Sequence, residues 1–236
     1  MKKAKLYLIP SLLGDSNIRT SLPDIITNHI QEINIFIVEN VRSARRFIKK
    51  VYAEKDIDNT IFYAYGKHDK LNLEEEFLPH ILNGENVGII SEAGLPCIAD
   101  PGSKIVEYAH NLQIDVVPLV GPSSIFLALM ASGLNGQNFI FHGYLPIEKK
   151  ERERKIKQME NDSRRLNQTQ IFMETPYRNQ TLFDSIIKTT SNKTYLCIAT
   201  NLTLSNELIQ TKSIEEWKYS KIEIHKQPSI FLLLVK

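Results

Sequence analysis

The chain has 236 residues, 42% of them hydrophobic and 24% charged, with a net charge of +2 and only two cysteines. That composition suits a soluble globular protein of one or two domains and argues against a disulfide scaffold. No run reaches the ~18 apolar residues that cross a bilayer, and the start MKKAKLYLIPSLLGD has no small-residue cleavage pattern, so a cytoplasmic protein with no membrane partner is expected.

In chain order, runs rich in β-branched and aromatic residues predict strands at residues 5–9, 33–38, 60–65, 87–91 and 115–119. Between them lie segments of helical period. Residues 20–30 put Leu22, Ile25, Ile26 and Ile30 on one face, and residues 43–52 do the same with Ala44, Phe47, Ile48 and Val51. Crossovers of that length join parallel strands, so the first half reads as an α/β domain with a mostly parallel sheet. The segment SSIFLALMASG at 123–133 is apolar almost all round and predicts a helix buried between layers. Further strands are expected at 139–144, 170–174, 194–200, 221–225 and 229–235, the last two as an antiparallel hairpin joined by KQP. The expected organisation is two α/β domains, 1–119 and 120–236, the second with an antiparallel edge.

Local charge is less even than the net value. Arg42, Arg45, Arg46, Lys49 and Lys50 crowd one segment; Lys149, Lys150, Arg152, Arg154, Lys155, Lys157, Arg164 and Arg165 crowd another. Each is either a solvated helix face or a phosphate-binding one. Cys97 and Cys197 lack a CxxC partner and read as buried thiols.

Ligands of open α/β sheets bind beyond the carboxyl ends of strands, which is where GIISEAGLPCIADPG, residues 88–102, is placed. Gly94 frees the backbone, and Asp100 with Pro101 reads as an N-cap and first residue of a helix whose stripe is Ile105, Val106, Ala109 and Leu112. Neither GxGxxG nor GxxxxGK[ST] is present, so a ligand presenting adenosine and a zwitterion fits this neutral loop better than one presenting phosphates. A second neutral loop, VGPSSI at 120–125, offers hydroxyls and helix-start N–H groups. The six histidines are scattered, with no HExxH, no nucleophile pair and no acidic cluster, so a reaction needing neither metal nor covalent enzyme intermediate is expected.

SEAGLPCIADPG, VVPLVGPSSIFLALMASGL and FIFHGYLP, in this order and spacing, resemble the tetrapyrrole methylase superfamily of S-adenosylmethionine-dependent methyltransferases. Within it the motifs sit nearest the branch that methylates a ribose 2′-oxygen of a cytidine in 16S rRNA. The resemblance implies two α/β domains with S-adenosylmethionine in the cleft between them, a homodimer, and RNA, as 16S rRNA or the 30S subunit, as partner. It places cofactor contacts at Pro10, Gly94, Leu95, Ile98, Ser123, Ser124, Met173, Ala199, Thr200 and Pro228. The family's AEDTR-like segment falls on VENVR, making Glu39 and Arg42 the catalytic candidates, Glu39 to orient the hydroxyl and Arg42 to hold a phosphate. Arg45, and from METPYR Glu174, Tyr177 and Arg178, are the substrate-side candidates. Methyl transfer from a sulfonium is an in-line displacement, so alignment and a base near the hydroxyl are the main demands.

The chain departs from the family at LIPSLLGD, at Asn40 in VENVR, at ATNLTLSNE, and at YGKHD with His68. The resemblance puts these departures on the substrate side. Two alternatives therefore stay open: methylation of a small tetrapyrrole-like substrate, and a cofactor- or RNA-binding paralogue without catalysis.

Overall fold

The computed structural model describes residues 3–66 and 71–236, and the chain divides into two compact units, Met1–Ser123 and Ser124–Lys236. Unit 1 runs β1 (Lys5–Ile9), α1 (Ile18–Ser21), α2 (Ile25–Glu32), β2 (Ile35–Val38), α3 (Val41–Val51), β3 (Ile61–Ala64), a π-helical turn (Leu73–Phe77) leading into α4 (Leu78–Leu82), β4 (Val87–Ile90), α5 (Ser103–Asn111) and β5 (Asp115–Pro118). All its strand pairs are parallel, in the order β3-β2-β4-β1-β5.

That order decides where the helices go. The crossovers β1 to β2 and β2 to β3 move one way along the sheet; β3 to β4 and β4 to β5 move the other. Right-handed crossovers then put α2 and α3 on one face and α4 and α5 on the opposite face. The alternation along each strand agrees. Phe36 and Val38 pack with Ile26, Ile30, Ala44 and Ile48, whereas Ile35 and Ile37 pack with Phe77, Ile105 and Ala109.

The single helix expected over 20–30 is two. Pro23 has no N–H to donate and forces Leu22 out of the helical region, to φ −121° and ψ 134°, which ends α1 there. Ile25, expected inside, is 47% exposed on the restarted turn. Leu112, expected in the stripe of α5, caps the helix end and is 42% exposed.

Unit 2 runs α6 (Ser124–Ser132), β6 (Phe139–Tyr144), α7 (Lys149–Leu166), β7 (Thr169–Met173), a 3₁₀ turn (Pro176–Arg178), α8 (Asn179–Thr189), β8 (Thr194–Thr200), β9 (Leu208–Ser213), α9 (Ile214–Lys218) and β10 (Ser229–Val235). Its sheet has the order β6-β7-β10-β8-β9, with β6 and β7 parallel and every other pair antiparallel. α7, α8 and α9 supply Ile156, Met159, Leu182, Ile186 and Trp217 to a core built on Phe172, Leu196, Ile198 and Phe231.

The hairpin expected over 221–235 does not form. β10 lies between β7 and β8, and the strand that completes the sheet is β9, absent from the sequence-based expectation. Residues 221–225 carry no strand; Ile224 plugs the core, and the carbonyls of Ile224 and Gln227 accept hydrogen bonds from the Asn179 side chain at 3.4 and 2.6 Å. A backbone fastened sideways in this way cannot also run a ladder. α6 buries only one side, through Ile125, Ala128 and Leu129, leaving Phe126 54% and Met130 79% exposed.

Candidate active site

β1 and β4 are neighbours, yet the chain leaves β1 toward the α2 face and leaves β4 toward the α5 face. Such a switch point opens a crevice at the carboxyl ends of the two strands. Three loops gather there. The Ser11 N–H donates to the Gly94 carbonyl at 2.9 Å, and the Ser91 hydroxyl donates to the same oxygen at 3.3 Å. The loop after β5 comes so close to the loop after β1 that a Cβ on Gly121 would lie 2.2 Å from Cβ and 2.3 Å from Cγ of Pro10. Gly94 is less tightly fitted, a Cβ there meeting Leu13 Cδ2 at 3.0 Å and the Pro122 carbonyl oxygen at 3.1 Å, but its φ of +72° is one that side-chain-bearing residues seldom adopt.

The rest of the 91–102 loop is held by Asp100. Its Oδ2 accepts from the Cys97 N–H at 2.8 Å and its Oδ1 from the Gly102 N–H at 2.7 Å. Cys97 and Ala99 both take left-handed backbone, φ 68° and 63°, which side-chain-bearing residues seldom adopt. The expected helix start at Asp100 is therefore corrected: α5 begins at Ser103 with Gly102 at the cap position, because the Asp100 carboxylate is spent inside the loop. Leu95 is half-buried, Ile98 is 50% exposed, and Pro10 is buried just past the end of β1. Burial pushes the Cys97 thiol up to about 12, so it is inert at neutral pH.

Beside the loops lies a pocket of about 450 Å³, lined by Ser11, Gly14, Arg46, Lys50 and Ser91 among others. Lys50 donates to Asp15 Oδ1 at 2.6 Å and to the Ser16 carbonyl at 2.9 Å, strapping the first loop to α3. The exposed Arg46 is on this wall, whereas Arg45 stacks its guanidinium over Phe62, 5.2 Å from the ring centroid. Arg46 and Lys50 were not singled out as site residues by sequence reasoning; their i,i+4 spacing, shared with Arg42, was the available signal. Gly121 was also missed, because only the fold reveals what it touches.

Glu39 closes β2 and precedes Asn40, whose side chain caps α3 by accepting from the Ser43 N–H at 3.1 Å. Glu39 Oε1 accepts from the Glu92 N–H at 3.1 Å and so reaches the 91–102 loop. Burial holds its pKa above the ordinary carboxylate value; the Glu92 N–H opposes that, and the charges of Asp100 and Glu92 add to it. Among the described residues no ion pair joins it to the exposed Arg42.

In unit 2, Met173, Ile230 and Ala199 lie abreast on β7, β10 and β8, with Thr200 opposite Ser229. Asn201 N–H donates to the Pro228 carbonyl at 3.0 Å, and Lys226 N–H to the Pro176 carbonyl at 3.0 Å. The 224–228 segment thereby joins the exits of β7 and β8, bringing Met173, Glu174, Arg178, Ala199, Thr200 and Pro228 to one end of the sheet. Glu174 is buried, and its Oε1 accepts from Arg178 at 2.5 Å and from the Thr175 N–H at 2.7 Å. Tyr177 is 70% exposed, edge-on to His225. Ser123 ends unit 1 and Ser124 opens α6. His68 lies outside the described residues.

The family model described as Tetrapyrrole (Corrin/Porphyrin) Methylases matches residues 28–218, more than half of the chain. Among similar proteins, a ribosomal RNA small subunit methyltransferase I of Vibrio cholerae serotype O1 is 29% identical over 212 residues, 89% of this chain and 69% of its own length. The protein of that description from Buchnera aphidicola subsp. Schizaphis graminum is 27% identical over 237 residues, 99% of this chain and 79% of its own. Among solved structures, that of the methyltransferase CobJ matches with a TM-score of 0.64 at 12% identity, covering 98% of this chain and 94% of the other, a likeness of fold.

Proposed function

The chain belongs to the tetrapyrrole (corrin/porphyrin) methylases and is a methyltransferase, and from that premise we propose that it moves a methyl group from S-adenosylmethionine to a ribose 2′-oxygen of 16S rRNA in the 30S subunit. One observation carries the reading: at the switch point of unit 1, a cradle of neutral residues adjoins a pocket whose α3 wall bears Arg46 and Lys50. The relatives' printed activity supports the choice of RNA. A neutral cradle suits an uncharged adenosine; beside it Arg46, with no ion-pair partner among the described residues, suits a phosphate, whereas Lys50 is already paired with Asp15.

In this proposal Pro10, Gly94, Leu95, Ile98 and Ser123 of unit 1 hold the cofactor through backbone groups, a hydroxyl and apolar surface, and the likeness of the sequence to the family assigns Ser124, Met173, Ala199, Thr200 and Pro228 as further contacts. Bound there, it supplies a methyl carbon already activated by the sulfonium charge. Glu39 accepts the ribose hydroxyl and takes its proton as the oxygen attacks, a task that its raised pKa favours. Arg42 and, one turn on, the pocket-lining Arg46 hold backbone phosphate, whereas Arg45, the residue expected from the sequence, lies over Phe62 instead. The exposed ring of Tyr177 offers a face for a base, and Arg178, anchored by Glu174, a further phosphate contact. The exposed Phe126 and Met130, four residues apart on one face of α6, support a homodimer.

The test is transfer of labelled methyl to 30S subunits from cells lacking the protein, with uroporphyrinogen and precorrin as competing acceptors. Label in 16S rRNA as 2′-O-methylcytidine, with inert macrocycles, is expected. Label on a macrocycle alone refutes the RNA substrate; cofactor binding by calorimetry with no transfer to any acceptor refutes catalysis.

A further inference from the structure

The charges of α7 are sorted by face. Lys150, Arg154 and Lys157, spaced i, i+4 and i+7, are exposed on one side, and Arg164 and Arg165 continue the exposed cations at the far end of the helix. The helix's acids are largely committed elsewhere. Glu148 caps the start by accepting from the Glu151 N–H at 2.8 Å, Glu153 lies 3.9 Å from Lys188, Asp162 pairs with Arg165 at 3.1 Å, and Glu160 is buried on the Ser191 N–H and the Thr194 hydroxyl and lies 4.0 Å from Arg164. Glu151 alone is left exposed and uncommitted. Among the described residues Lys150, Arg154 and Lys157 have no ion-pair partner.

A merely solvated helix interleaves its charges and pairs them at i,i+4. Here one sign is left over on one face. At ~1.5 Å per residue, the unpaired ridge from Lys150 to Lys157 runs roughly 10 Å, long enough to meet neighbouring phosphates of a strand. A lipid surface fits less well, because Ile156 and Met159 are fully buried in the core of unit 2 and the exposed Leu166, alone at the far end of α7, gives no apolar face to enter a bilayer. We infer that this face of α7 docks the phosphate backbone of the RNA substrate. The inference rests on the RNA reading above and adds the surface that engages it.

The test uses the full chain, a fluorescein-labelled single-stranded RNA 30-mer of mixed sequence, and anisotropy titrations from 50 to 300 mM salt. The triple variant K150Q/R154Q/K157Q keeps good helix formers at exposed positions, and K193Q/K218Q/K221Q removes the same charge from other exposed sites. Each lost phosphate contact lowers the slope of log K against log salt by ~0.7, so the α7 variant should lose about 2 from the slope and bind on the order of tenfold more weakly at 150 mM. The control triple should stay at wild-type slope. Equal slopes for wild type and the α7 variant overturn the inference and leave the RNA reading standing. Absence of RNA binding by the wild type at 50 mM salt overturns both, and binding to vesicles of phosphatidylserine but not to RNA assigns the ridge to a membrane instead.

Discussion

Replacing Gly121 by alanine tests whether the loops after β1 and β5 form a single unit of the site. The added Cβ would stand 2.2 Å from Pro10 Cβ, and real Cβ contacts essentially never fall below 3.0 Å, so the two backbones must part by roughly 0.8 Å. Neither side yields cheaply. Pro10 is a ring without rotamers to escape into, and its successor Ser11 is bonded to Gly94. Overpacking of this kind costs roughly 1–3 kcal/mol, and at roughly 2–4 °C per kcal/mol for a chain of this size the melting temperature should fall by roughly 4–8 °C for a cost near 2 kcal/mol. Calorimetry should show S-adenosylmethionine binding at least tenfold more weakly, since Pro10 and Gly94 are moved together. Gly136→Ala, with nothing within 4 Å of the added methyl, is the control and should change neither reading. A Gly121→Ala protein with wild-type melting and wild-type affinity would refute the idea that this close approach shapes the cofactor cradle.

Glu39→Gln should abolish methyl transfer while keeping the bond from the Glu92 N–H, and its stability relative to wild type should grow with pH. The sign follows from a folded pKa raised above the unfolded one: the wild type loses stability as pH climbs from the unfolded value through the folded value, and glutamine does not. Urea titrations at pH 4 and pH 7 check this, and a constant difference between the two proteins contradicts it. Arg178→Ala strands the buried Glu174 carboxylate and should cost about 3 kcal/mol in the same assay; a loss below about 1 kcal/mol would mean that solvent reaches Glu174. Cys97 and Cys197, with thiols pushed up to about 12 and about 11, should resist a thiol reagent at pH 8 in the native protein and react once it is unfolded in urea.

Most strands were legible because their signal is local: β-branched runs at residues 5–9, 139–144, 194–200 and 229–235 form strands with those bounds. The segments LIQTKS and KIEIH illustrate the limit. KIEIH alternates and LIQTKS does not, but only LIQTKS finds an open edge on β8, while Ile224 and the Asn179 side chain fix the other as irregular chain. The basic run in α3 was equally visible, yet which arginine turns to the pocket depended on helical phase, which selects Arg46 over Arg45. Asp100 before Pro101 satisfied every local rule for a cap and instead clamps two N–H groups of its own loop.

By itself, then, the sequence determined the alternation of strand and helix in the first half, the neutral character of GIISEAGLPCIADPG and the likeness to methylases, since these rest on residue types and short spacings. The tertiary structure alone decided the strand order that opens a switch point between β1 and β4, the contact of Gly121 with Pro10, and the exposure of Phe126 and Met130 on a helix whose sequence is apolar almost all round. Those are long-range pairings, set by which face can be buried against which partner, and no window of a few residues contains both halves of such a contact.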